Sequence, residues 1–122
     1  MQEITVRELK SKLDEGADIV VLDVREPHEW DIAAIDDTLR IPKGEIQQAK
    51  DAVIAGSKQL EETVLAQIPQ DKELIVHCRS GKRSADSICF LQEAGYNSKR
   101  MYNLVGGILA WADEIDPSLQ KY

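Results

Sequence analysis

LIVHCRSGKRS, residues 74–84, couples an apolar run, Leu74, Ile75, Val76 and His77, to a short loop of glycine, serine and cations that opens into a helix. Backbone N–H groups of a tight glycine-containing turn and the positive end of the following helix converge on one space. Cys78 therefore stands at the base of an anion cradle. The rest of the chain reads as scaffold around that cysteine.

Upstream of the loop, Ile19, Val20, Val21 and Leu22 form a second continuous apolar run, ending in Asp23, Val24 and Arg25. An unbroken run of this kind suits a parallel strand buried on both faces, as does Glu73–His77. Met1 to Ile4 reads as a short edge strand. Thr5 and Glu8 then have capping-box spacing, and Val6, Leu9 and Leu13 recur as on one helix face, with Gly16 as the stop. Pro27 suits the first turn of a short helix through about Asp31. Arg40, Ile41 and Pro42 suggest a brief strand. Residues 45–68 read as helical, with Ile46, Ala49 and Val53 on one face and Leu60, Val64 and Ile68 on another after a break at Gly56 and Ser57; Pro69 ends the segment.

Downstream, Lys82 to Ala94 is predicted as a helix with Ala85, Ile88 and Leu91 inward and Gly95 as its stop. Arg100 to Asn103 is the last predicted strand. Gly106 and Gly107 read as a close-approach turn. Ile108, Trp111, Ala112 and Ile115 mark one face of a final helix that Pro117 terminates. Strands alternating with helices predict an α/β fold with a parallel sheet covered on both faces. Ligands in such sheets sit beyond the carboxyl ends of the strands, which places Asp23, Arg25 and Cys78 on one rim.

At 122 residues, 43% hydrophobic and 30% charged, the chain fits one globular domain over residues 1–122. Acidic residues outnumber basic ones 22 to 15, and a net charge of -7 argues against nucleic acid and anionic lipid as partners. No apolar run approaches the roughly 18 residues needed to cross a membrane, and residues 1–15 do not look like a signal peptide. The expectation is a soluble, cytoplasmic protein. Cys78 and Cys89 are too few for a disulfide framework, and metal-binding spacing is absent. Cys89 lies roughly 10 Å along the predicted helix, beyond bridging distance, and is expected to pack in the core.

The thiolate, not the thiol, is the nucleophile, so a working Cys78 needs its pKa lowered from about 8.5. Loop amides, the helix terminus and the charges of Arg79, Lys82 and Arg83 supply three means. Cations in a helix's first turn are unfavourable unless an anion sits there, which favours a functional role for Lys82 and Arg83. Cysteine phosphatases encircle phosphate with a C-x5-R loop. Here Cys78 to Arg83 is C-x4-R, and Ser84 stands at the position of the phosphatase arginine. By that comparison the smaller ring suits a single sulfur atom.

The blocks DVREPHEW (Asp23 to Trp30), IPKGE (Ile41 to Glu45), HCRSGKRS (His77 to Ser84), LQEAGY (Leu91 to Tyr96) and NLVGGILAW (Asn103 to Trp111) resemble, in order, those of the rhodanese family of sulfurtransferases. With the tail IDPSLQKY (Ile115 to Tyr122), the chain is most similar to the rhodanese-like domain at the carboxyl end of adenylyltransferase/sulfurtransferases. The resemblance implies a three-layer α/β/α fold with a central, mostly parallel sheet. It also implies a persulfide on Cys78, a substrate cradle of Arg79, Ser80, Gly81, Lys82, Arg83 and Ser84, and rim support from Asp23 and Arg25. No metal or organic cofactor is required. Implied partners are a sulfane-sulfur donor, such as thiosulfate or a cysteine desulfurase persulfide, and a ubiquitin-like sulfur-carrier protein of molybdopterin, thiamine or tRNA thiolation pathways. Ala33, Ala34, Asp36 and Asp37 depart from the family pattern, and residues 45–60 are longer than in compact members.

Several residues have plainer readings. His77 reads as a satisfied core histidine, His28 and Glu29 as a solvated helix turn, Trp111 as core, and Asp23 with Arg25 as a structural pair. Two other functions stand beside sulfur transfer: a rhodanese-like binding or regulatory module with little turnover, and a cysteine phosphatase.

Overall fold

The two apolar runs lie side by side at the centre of a five-stranded sheet. In this computed structural model, which describes residues 1–122, β2 (Ile19–Asp23) pairs in parallel with β4 (Glu73–His77), with Ile19 opposite Glu73 and Asp23 opposite His77. Outside them lie β3 (Leu39–Arg40) beside β2, β5 (Met101–Leu104) beside β4, and β1 (Glu3–Ile4) at the far edge, giving the order β1-β5-β4-β2-β3. Every pairing is parallel. From β2 the chain moves outward to β3 and then returns to the other side of β2 to form β4. The carboxyl ends of β2 and β4 thus lie side by side where the winding of the chain reverses.

Side chains alternate between the two faces along each strand. Leu22, Leu74, Val76 and Met101 pack with Ile46 and Ala49 of α3 (Lys43–Ile54) and with Ile88 and Leu91 of α4 (Lys82–Glu93). On the opposite face Val21, Ile75 and Leu104 meet Val6 and Leu9 of α1 (Val6–Asp14) and Ile108 and Trp111 of α5 (Gly107–Glu114). The result is a three-layer α/β/α fold. Leu9, Leu22, Ile75, Leu91 and Leu104 are fully excluded from solvent, each such burial stabilising the fold by roughly 1.5–3 kcal/mol. No helix is long and apolar enough to cross a membrane.

Local chemistry fixes the element ends. Thr5 and Glu8 close the predicted capping box on α1: the Glu8 amide donates to Thr5 Oγ1 at 3.1 Å and the Thr5 amide donates to Glu8 Oε1 at 3.0 Å. Pro27 opens α2 (Pro27–Ile32), which directly follows the end of β2. Between β3 and α3, Pro42 caps the helix, so the strand ends earlier than the predicted Arg40 to Pro42.

Four expectations need correction. Residues 45–68 are not two helical faces: α3 ends at Ile54, Gly56 takes a left-handed φ of 73°, and only two 3-10 turns follow, Leu60–Glu62 and Val64–Gln67. The Tyr96 hydroxyl lies 2.9 Å from Leu65 O, which also accepts from the Ile68 amide, and 2.8 Å from Ile68 O, so it ties down the end of the second turn. Ala85 is only half-buried, because the inward stripe of α4 is Ser84, Ser87, Ile88 and Leu91. Cys89 falls one residue past Ile88, about 100° around a helix of 3.6 residues per turn, and is exposed rather than core. Leu13, in the last turn of α1, is also exposed. At the departure from the family pattern, Asp37 occupies the left-handed region with φ of 59°, a conformation aspartate tolerates better than most residues.

Candidate active site

Cys78 follows the last residue of β4 and is 1% exposed. Gly81 N–H donates to its Sγ at 3.1 Å, and the Ser84 hydroxyl lies 3.4 Å from the same atom. Gly81, the cap of α4, has φ of 123°, a backbone that favours glycine and that turns its amide onto the sulfur. Burial acts to push the thiol pKa up. The Ser84 hydroxyl and the amides of Ser84, Gly81 and Ser80 outweigh burial and hold it below the ordinary thiol value.

The opposite side of the loop is fixed by α5. The Ile108 amide donates to Cys78 O at 3.0 Å and the Leu109 amide to Arg79 O at 3.3 Å. With these carbonyls drawn outward, neighbouring amides are left to face the sulfur. Such contact requires glycine at 107: with φ of 55°, an added Cβ there would lie 2.5 Å from Arg79 O and 2.6 Å from Cys78 O. The predicted close-approach turn is therefore a contact on the candidate loop itself.

Asn103, near the end of β5, braces the loop from the side. Its Nδ2 donates to Gly81 O at 3.0 Å, and the Ser84 hydroxyl donates to its Oδ1 at 2.6 Å. Sequence reasoning placed Asn103 only at the end of a strand. A polar residue closing a buried strand at the carboxyl rim was the available signal.

The three predicted cations do not all face the mouth of the cradle. Arg83 is bound by both oxygens of Glu29, at 2.6 and 2.9 Å. Arg79 donates to the backbone carbonyl of Tyr122 at 2.6 Å through Nε and stacks over the Tyr122 ring 5.2 Å from its centroid. Lys82 stands exposed in the first turn of α4. Glu29, expected on a solvated turn, is instead 5% exposed. Its bonds from Arg83 are the main cause that holds its carboxyl at about 2, with help from the Tyr122 hydroxyl, which donates at 2.6 Å. His28 is exposed, as expected.

Asp23 and Arg25 lie at the carboxyl end of β2 but beneath the rim, both 0% exposed. Arg25 grips Asp23 through Nη2 at 2.7 Å and Nε at 3.0 Å, and also donates to Ala33 O at 2.9 Å and to the Tyr122 hydroxyl at 3.0 Å. Burial works to raise the Asp23 carboxyl, yet the Arg25 bonds hold it below its usual value. The pair thus ties the loop after β2 and the segment after α2 to the tail. His77 is fully buried, and burial keeps it neutral. It is only partly satisfied: Nδ1 lies 3.3 Å from Cys78 O, while Nε2 lacks a hydrogen bond and sits 3.6 Å from Asp23 Oδ2.

A buried cysteine with loop amides turned toward its sulfur, where a parallel strand meets a helix, is the candidate site for an anionic or sulfur-bearing group. Residues 5–114 match the rhodanese-like domain family, and the chain belongs to that family. It is 36% identical over 119 residues to the probable adenylyltransferase/sulfurtransferase MoeZ of Mycobacterium tuberculosis, covering 98% of this chain and 26% of the relative. The chain thus spans about a quarter of that protein's length. A sulfurtransferase of Allochromatium vinosum is 31% identical over 112 residues, covering 92% of this chain and 89% of the relative. Among solved structures, the human single-domain sulfurtransferase TSTD1 superposes with a TM-score of 0.70 at 25% identity, covering 93% of this chain and 97% of that one. The name sulfurtransferase is thus carried by relatives that this chain matches over nearly their whole length.

Proposed function

We propose that Cys78 carries sulfane sulfur as a persulfide between a donor and an acceptor. The observation that carries this reading is the Cys78 sulfur, buried at the end of β4 with Gly81 N–H donating to it at 3.1 Å and its thiol held below the ordinary value. A lowered pKa supplies thiolate, which attacks the outer sulfur of a thiosulfate or of a protein persulfide such as that of a cysteine desulfurase. A bond forms from Sγ to that sulfur as sulfite or the donor thiolate leaves with the bonding electron pair. The outer sulfur of the new persulfide bears the negative charge. Amides of residues 79–84 surround it at the positive end of α4. An acceptor nucleophile then bonds to the outer sulfur, and the electron pair of the broken S–S bond returns to Sγ.

Lys82 and Arg79 provide cationic charge near the mouth on a chain of net charge -7, which suits an anionic donor or the carboxyl end of a sulfur-carrier protein. In this reading the persulfide is made and used in the cytoplasm, by a domain that folds over residues 1–122 and needs no metal or organic cofactor. Asp23 and Arg25 support the rim through the tail rather than by touching the reacting atoms. Arg83 is tied to Glu29, so its guanidinium is not turned inward as a phosphate clamp.

Intact-mass measurement after incubation with thiosulfate, and separately with a persulfide donor, tests the reading. One added sulfur on the wild-type chain, lost in Cys78→Ser, supports it. An unmodified wild-type chain across both donors overturns it in favour of a binding module, and Cys78-dependent hydrolysis of an aryl phosphate overturns it in favour of a phosphatase.

A further inference from the structure

Beside the Cys78 sulfur, one hydroxyl proton faces three acceptors. The orientation of the Asn103 amide is settled by Gly81 O, 3.0 Å away: a carbonyl only accepts, so Nδ2 lies there and Oδ1 faces Ser84. Ser84 Oγ is 2.6 Å from that Oδ1, 3.1 Å from Gly81 O and 3.4 Å from Cys78 Sγ. A separation of 2.6 Å is at the short end for hydroxyl donors, and Oδ1 has no proton of its own to give. The Ser84 proton therefore rests on Asn103. What Ser84 offers the sulfur in this arrangement is a lone pair, which suits an S–H group; the hydroxyl helps hold the thiol below its ordinary value by turning to donate once Sγ is a thiolate.

Building on the persulfide reading of Cys78, we propose that Asn103 is a positioning residue that holds the Ser84 proton while Sγ is uncharged and releases it to Sγ when sulfur transfer makes Sγ a thiolate. Sγ is uncharged both as a thiol and as the inner atom of a persulfide, whose charge lies on the outer sulfur. When an acceptor nucleophile bonds to that outer sulfur, the S–S bond breaks and its electron pair stays on Sγ. The Ser84 hydroxyl then turns from Oδ1 to Sγ and donates a hydrogen bond to the leaving thiolate, keeping its proton. Asn103 stays attached to Gly81 O through Nδ2, so the loop holds its shape while the hydroxyl turns. The inner sulfur thus has a donor of its own, apart from the amides that serve the outer one.

The pH dependence of Cys78 alkylation by iodoacetamide tests this, measured in a Cys89→Ser background to remove the exposed second thiol. Four proteins complete a cycle: the background, Ser84→Ala, Asn103→Ala and the double variant. With Ser84 present, Asn103→Ala frees the hydroxyl for Sγ, so the thiolate midpoint falls and alkylation below the midpoint accelerates about three- to tenfold. In the Ser84→Ala protein, the same change leaves the midpoint in place or raises it, since only the Gly81 contact is lost. A midpoint shift of the same size and direction in both backgrounds overturns the proposal, as does an upward shift with Ser84 present. If Asn103→Ala does not fold, Asn103→Val keeps a strand-forming side chain and is read in the same cycle. Sulfur uptake by the wild-type chain, followed by intact mass, separates the two ideas. Absent uptake removes the persulfide reading, whereas uptake together with an uncoupled cycle removes only the role of Asn103.

Discussion

Gly107→Ala is predicted to damage the fold and the nucleophile together, and the structure sets the size of the effect. The added Cβ would lie 2.5 Å from Arg79 O, 2.6 Å from Cys78 O and 2.7 Å from the Arg79 carbonyl carbon, all backbone atoms that cannot swing aside. At a φ of 55° alanine also bears the left-handed penalty, about 1–2 kcal/mol. Relieving the clash moves α5 off the loop and sacrifices the bonds from Ile108 N to Cys78 O and from Leu109 N to Arg79 O, about 0.5–1.5 kcal/mol each. The expected destabilisation is about 2–5 kcal/mol, a large part of the roughly 5–15 kcal/mol of a typical domain. Gly16→Ala is the matched control. Gly16 has a φ of 71° with nothing within 4 Å of the added atom, so it costs only the left-handed term of about 1–2 kcal/mol. Urea unfolding gives both values, and iodoacetamide alkylation of the folded proteins gives the Cys78 midpoint. That midpoint should rise toward the free-thiol value in Gly107→Ala and stay put in Gly16→Ala. Equal losses of stability in the two variants, with equal midpoints, would refute the reasoning that α5 shapes the loop.

Other outcomes follow from single contacts. Glu29 titrates at about 2 in the folded chain against an ordinary 4.5; a depressed folded pKa adds stability that is complete above 4.5 and lost as pH falls toward 2, about 2–4 kcal/mol in all. Urea unfolding from pH 6 down to about pH 2.5 should accordingly show a shallower decline in Glu29→Gln than in wild type, and parallel curves would contradict the assignment. Tyr96→Phe leaves Leu65 O and Ile68 O without their hydroxyl donor and should cost about 1–3 kcal/mol in the same assay, with Cys78 alkylation unchanged. Cys89→Ser, at an exposed position, should alter stability by less than about 0.5 kcal/mol and leave sulfur loading of Cys78 intact; a loss near that of a buried cavity would restore the core reading of Cys89.

The readable parts of this chain are those where one segment determines its own surroundings. Ile19 to Leu22 and Leu74 to His77 are apolar throughout because each strand is covered on both faces, so the central pair was legible. The Cys78 loop was legible for a related reason: strand, glycine turn and helix are contiguous, and the cradle is assembled from local amides. Gly106 and Gly107 signalled a close approach, though not what they approach. Glu29 was misread because its neighbours Pro27 and His28 suggest a polar turn, while its partners Arg83 and Tyr122 lie 54 and 93 residues away. Asn103 and Ser84, 19 residues apart, meet only because β5 lies beside β4. The segment from 45 to 68 had a helical spacing of apolar residues, but Gly56 and the hydroxyl of Tyr96 favour short turns there. On α4 the inward stripe carries two serines, Ser84 and Ser87, which apolar periodicity does not mark, whereas it does mark Ala85.

The contact between α5 and the loop also has a consequence for biogenesis. Cys78 and the amides around it are synthesised before Gly107, Ile108 and Leu109, and the carbonyls of Cys78 and Arg79 are drawn outward only when those later residues dock. A chain still emerging, or one in which α5 has come loose, therefore lacks the contacts that brace the loop carbonyls, and its Cys78 is expected to react more like a free thiol. On this geometry the loop reaches its folded shape only once α5 has docked, so the reactivity of Cys78 reports on whether that helix is in place.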